Sequence, residues 1–142
     1  MSHCDLESGA VIFHEKFAGV DGLKDRYFIV IRNTSPLVEC FTTTTRLHAE
    51  TTPRLATEFC EIRAGECCLP KKCFVDFRTI HRFDDIVLGS RLRSKTVKHL
   101  GNLPVEILQR VRTALDNSRS VTPIDKERLN EALDDVLNPS HD

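Results

Sequence analysis

Arg26-Tyr27-Phe28-Ile29-Val30-Ile31 is followed, after Asn33-Thr34-Ser35-Pro36, by Leu37-Val38-Glu39-Cys40-Phe41-Thr42-Thr43-Thr44-Thr45. The first six residues are mostly β-branched or aromatic, which fits a pleated, half-buried surface. Asn, Ser and Pro in the next four supply turn chemistry. The last nine resume an apolar strand and end in hydroxyls. Two strands joined by a short turn therefore form the core of the predicted fold.

Working outward, Gly9-Ala10-Val11-Ile12-Phe13-His14-Glu15-Lys16-Phe17 predicts a strand before the pair. Ala18 to Asp25, with Gly19, Gly22 and three charges, predicts a loop that places Lys24-Asp25-Arg26 at the foot of the next strand. Phe59-Cys60-Glu61-Ile62 and Cys73-Phe74-Val75-Asp76-Phe77 predict two more strands, with a turn at Ala64-Gly65-Glu66. Arg78 to Leu92 reads both ways. Ile80, Phe83, Val87 and Leu88 share a helical face, but Asp84-Asp85 and Gly89 break it.

The C-terminal part is helical by spacing. Ile107, Leu108, Val111, Ala114 and Leu115 line one face behind Pro104. Thr122-Pro123-Ile124-Asp125 supplies a cap, a first-turn proline and an acidic third position. Leu129, Ala132, Leu133, Val136 and Leu137 then form a stripe that ends at Asn138-Pro139. Strands followed by helices predict a mainly β (α+β) fold, a small barrel or sheet closed by two C-terminal helices. The expected division is a barrel with its closing helix over 1–117, then a linker and an acidic helical extension over 118–142.

The chain has 142 residues, 40% hydrophobic and 29% charged, an ordinary balance for one globular domain. It has no apolar run of about 18 residues to cross a membrane. Met1-Ser2-His3-Cys4-Asp5 lacks the basic and apolar regions of a secretory signal, so a cytoplasmic location with reduced cysteines is expected. Net charge is -1 but uneven: Arg91, Arg93, Lys95 and Lys98 fall in an acid-free stretch, while residues 116–142 carry seven acids and three bases. Such a stretch suits an anionic partner or a solvated face.

Cys60, Cys67, Cys68 and Cys73 are separated by six, none and four residues, unlike paired zinc ligands. Phosphate-binding glycine loops and nucleophile elbows are missing from the sequence, so no cofactor or metal is expected. The remaining polar feature is a rim where Arg26 and Thr42 to Thr45 meet if their strands pair antiparallel. A guanidinium and hydroxyls there suit phosphate, although a polar strand end is equally ordinary.

In this order the residues resemble the PemK/MazF family of toxin endoribonucleases over about 8–116. Gly9-Ala10-Val11-Ile12-Phe13 resembles the family's opening Gly-Asp and strand. Asp21-Gly22-Leu23-Lys24-Asp25-Arg26 and the strand after it resemble the loop that ends in Arg-Pro. Cys40-Phe41-Thr42-Thr43 resembles the strand ending in Thr-Ser or Thr-Thr, and Gly101-Asn102-Leu103 resembles the Gly-x-Leu before the last helix. The resemblance implies an SH3-like barrel, a homodimer, a cognate antitoxin and metal-independent cleavage of single-stranded RNA through the 2′-OH. It implies Arg26 and Thr42 as catalytic residues, with Thr43 if the register slips by one. Lys24, Thr44 and Arg46 follow as RNA contacts. Ala10 and Tyr27 stand where the family has Asp and Pro. A second expectation is therefore a non-catalytic barrel of this type that binds protein or nucleic acid.

Overall fold

Phe28, Ile29, Val30 and Ile31 are all fully buried, so the strand that carries them is covered on both faces. In the computed structural model, which describes residues 4–19, 22–45 and 53–138, this strand is central in a six-stranded antiparallel sheet. The strands are β1 (Ala10–Gly19), β2 (Gly22–Asn33), β3 (Leu37–Thr44), β4 (Phe59–Ile62), β5 (Cys73–Asp84) and β6 (Val97–Asn102). Their order across the sheet is β4-β5-β3-β2-β1-β6. A short 3-10 turn, Pro53–Glu58, precedes β4. Three helices complete the chain: α1 (Asp85–Ser94), α2 (Val105–Asn117) and α3 (Pro123–Leu137). The sheet curls into a half-barrel, with register shifts at His14/Phe17, Val30/Arg32 and Cys40/Thr42. Extra residues of this kind bend a strand and raise its twist.

Period-two alternation divides the apolar residues between two cores. Val11, Ile29, Phe41, Val75 and Phe77 face α2 and α3. Ile12, Phe28, Val30, Cys40 and Phe83 face the other way, under Cys4 and Leu6 of the N-terminal segment and Leu88 of α1. Among the described residues no helix is long and apolar enough to span a membrane.

Three expectations change. The loop foreseen over 18–25 is mostly paired strand, because Ala18 and Gly19 face Leu23 and Gly22 across a hairpin. Arg26 consequently sits inside β2, opposite His14, and not at its foot. The β1 bulge explains the pairing: Lys16 adopts φ 47, and its N–H donates to the Asp25 carboxylate at 3.0 Å. Second, Arg78 to Leu92 is half strand and half helix. Asp84 is the boundary, since its carboxylate accepts from the N–H groups of Ile86 and Val87 and so caps α1. Asp84→Ala is expected to cost about 1 kcal/mol of folding free energy, read from urea unfolding. Third, β6 follows α1, so the strands are not all placed before the helices. It is an edge strand whose Lys98, His99 and Leu100 are exposed, and its apolar pattern is correspondingly weak.

Residues 118–138 are built into the main core, not appended to it. Leu129 and Leu133 are fully buried, worth roughly 1.5–3 kcal/mol each in transfer free energy. Arg128 of α3 makes two hydrogen bonds to the buried Glu39 carboxylate of β3, at 2.7 and 3.1 Å, which Arg32 and Arg82 also contact. The α2–α3 link is held by Glu58, whose carboxylate accepts from Ser118 and from the N–H groups of Arg119 and Ser120. Burial opposes ionisation of Glu58, but these donors outweigh it and lower its pKa to about 2.

Candidate functional site

Strand parity sorts the threonine run. Thr42 lies opposite Phe28 on β2 and opposite Asp76 on β5, so it shares the face of Phe28. Thr44 lies on that face too, opposite Phe74. Thr43 points the other way, is 6% exposed, and hydrogen-bonds to Cys73 in the helix-covered core. Arg26 precedes Phe28 by two residues and faces the same side, diagonal to Thr42. Diagonal neighbours are about 7–8 Å apart along the sheet, within reach of a long side chain. Lys24, two residues further back and exposed, extends the row towards the hairpin. The structure thus brings together Lys24, Arg26, Thr42 and Thr44 and separates Thr43. Arg46 lies outside the described residues.

Two histidines enter this face, His14 and His81, and no sequence motif marks either of them. His14, on β1 opposite Arg26, is buried. Its Nδ1 contacts the Glu15 carbonyl at 2.8 Å, and Arg91 donates to Nε2 at 3.0 Å. Both nitrogens are occupied, which makes His14 a structural residue. Burial chiefly lowers its pKa; the Glu15 carbonyl opposes this and the Arg91 charge adds to it.

His81, on β5 opposite Cys40, is half-buried. Its ring is held edge-on by Phe28 and Phe17, at centroid distances of 5.3 and 5.8 Å. It makes no hydrogen bond to another described residue. Burial again lowers its pKa most; Asp76 opposes this, and the Arg26 charge lowers it further. A lowered pKa favours the neutral imidazole at pH 7, and the ring shares its sheet face with the Arg26 guanidinium and the Thr42 hydroxyl. Asp76 itself is engaged by Arg78, through bonds of 3.0 and 2.9 Å to its two carboxylate oxygens.

The cysteines do not compete for this chemistry. Cys40 lies under the site, but burial drives its thiol pKa far upward, leaving no thiolate to act. Cys60 and Cys73 are in the opposite core. Among the described residues, no group of three or more His, Cys, Asp or Glu is arranged to share a metal ion.

The face thus presents a cation, a hydroxyl donor and a neutral base on rigid strands beside solvent. That set can bind a phosphodiester and take a proton from a neighbouring hydroxyl. No protein-family model matches this chain, and no curated protein matches it.

Proposed function

We propose that this chain is an endoribonuclease that cleaves single-stranded RNA without a metal ion, in an SH3-like barrel of the PemK/MazF type. The observation that carries the reading is the position of His81, whose ring makes no hydrogen bond among the described residues, on the same sheet face as Arg26 and Thr42. These three supply the parts the reaction needs. His81 takes the 2′-OH proton as the 2′-oxygen forms its bond to phosphorus. Arg26 and Thr42 donate to the non-bridging oxygens, where negative charge builds. The bond from phosphorus to the 5′-oxygen then breaks, and water protonates the leaving 5′-alkoxide. The products are a 2′,3′-cyclic phosphate and a 5′-OH. Arg26 serves as the charge clamp and not as the base, because guanidinium does not deprotonate readily. A homodimer, a cognate antitoxin and a cytoplasmic setting belong to the same proposal.

Incubating the protein with single-stranded RNA in chelator tests it. Cleavage with those end groups is expected, and Thr42→Val should lower kcat by roughly 10²- to 10³-fold, the usual cost of one oxyanion donor. Thr43→Val should change thermal stability and leave kcat alone. RNA that stays intact, or that Arg26→Ala protein cuts equally well, overturns the proposal. RNA bound but uncut would favour the non-catalytic barrel.

A further inference from the structure

The same sheet face continues beyond Thr42 onto the two outer strands. Asp76 lies opposite Thr42 on one side and Phe59 on the other. Phe74 lies between Thr44 and Glu61 in the next row. Both phenylalanines are half-buried, so each ring is seated against the sheet with part of it towards solvent. Each also carries a cation. The Arg78 guanidinium carbon is 4.9 Å from the Phe59 ring centroid, and Lys72 Nζ is 5.6 Å from that of Phe74. The other phenylalanines of this sheet face pack on one another: Phe17, Phe28 and Phe83 have ring centroids 5.0, 5.9 and 5.3 Å apart, and Phe17 and Phe28 also hold His81. Tyr27 is on the opposite face, against Phe13 at 5.0 Å.

We propose that Phe59 and Phe74, with Arg78 and Lys72, form a platform on which two bases of single-stranded RNA stack beside the phosphate held at Arg26 and Thr42. The inference rests on the RNA reading above and adds its binding subsite. Partly buried rings with cations over them suit single-stranded nucleic acid: a base stacks on the Arg78 guanidinium plane above Phe59, or takes the Phe74 ring as Lys72 moves to the backbone. Phe59 and Phe74 are diagonal neighbours on adjacent strands, about 7–8 Å apart along the sheet. Two unpaired, splayed bases can reach both rings, whereas a duplex keeps its base faces covered. The charges fit the same occupant. Arg78 neutralises Asp76, so the acid beside Thr42 does not repel phosphate. Lys71 and Lys72 are exposed just before β5, and Glu61, opposite Phe74, bounds the platform on the β4 side.

The chain has no Trp, so a single Trp reports on the platform without background. Phe59→Trp and Phe74→Trp proteins are titrated with a single-stranded 2′-O-methyl RNA octamer, which cannot be cut. Folding is checked by circular dichroism. Trp fluorescence quenched on binding the octamer is expected for both. Phe59→Leu and Phe74→Leu should each weaken binding by roughly 5- to 150-fold, the loss of one stacked base. Unquenched fluorescence together with Leu variants that bind like wild type overturns the platform, and Arg26-dependent cleavage would then still stand. Equal quenching by a duplex of the same sequence also overturns it. Quenching by the octamer, in a protein that never cuts unmodified RNA, supports the platform and removes the cleavage reading instead. No binding of any RNA removes both.

Discussion

His81→Gln is expected to lower kcat of the proposed RNA cleavage by about 10²- to 10⁴-fold, the span of a positioned general base. Glutamine keeps a polar group of similar reach but cannot accept a proton at neutral pH. The affinity for uncleavable RNA should not change, because Arg26, Thr42 and the outer strands are untouched. The pH profile separates this role from a packing defect. A base works when unprotonated, so wild-type kcat should rise with pH through the His81 pKa and level off above it. Burial and the Arg26 charge, against Asp76, place that limb below the ordinary 6.5 of histidine. The limb should vanish in His81→Gln. In Arg26→Ala it should move upward, since a cation that disfavours the imidazolium is gone. A limb that stays in place in His81→Gln would show that another group titrates.

Glu39→Gln is expected to cost about 3 kcal/mol of stability and about 6–12 °C in Tm. Glu39 is fully buried in β3, and its two oxygens accept from Arg32, Arg82 and Arg128. Removing one partner of a buried charge network leaves the others uncompensated, at about 3–5 kcal/mol. The lower end applies because the three arginine side chains are 22%, 44% and 30% exposed and can regain water. Asp125 also retains its contact with Arg128. Burial raises the Glu39 pKa, but the hydrogen bonds from Arg128 and Arg82 outweigh it, and the net shift is downward from 4.5. A carboxylate depressed on folding stabilises above its unfolded pKa, and this contribution fades as pH falls through the folded value. The gap between wild type and Glu39→Gln should therefore be full near neutral pH and narrow below about 4.5. Chemical unfolding across that range measures it. A variant that melts with wild type at pH 7 would show that α3 docks through its leucines alone.

These two residues also mark where one-dimensional reading stops. Glu39 sits in an apolar strand as a single polar letter, and nothing near it in sequence reveals Arg82 or Arg128. Its partners come from β2, β5 and α3, up to 89 positions away. His81 was obscured for a different reason. Alternation from Phe77 would put His81 on the face of Phe77. The register shift between Cys40 and Thr42 absorbs extra residues of β5, so Phe77 faces the helices while His81 and Phe83 face Phe28. A bulge inverts parity without leaving a compositional mark.

By itself the sequence determined the strand pair on either side of Asn33 to Pro36, both C-terminal helices and the Thr122 cap, because each rests on local propensity and spacing. It also placed Arg26 and Thr42 on neighbouring antiparallel strands, since a short turn of fixed length makes its flanking strands pair. Only the tertiary structure decided that Thr42 shares the face of Phe28 while Thr43 is buried, that Arg26 lies within a strand, and that β6 forms one edge of the sheet. It alone decided that α3 belongs to the core and that His81 shares a sheet face with Arg26. Those outcomes depend on bulges, pairings and charge contacts between distant segments, and their energies are settled when the sheet curls and the helices dock.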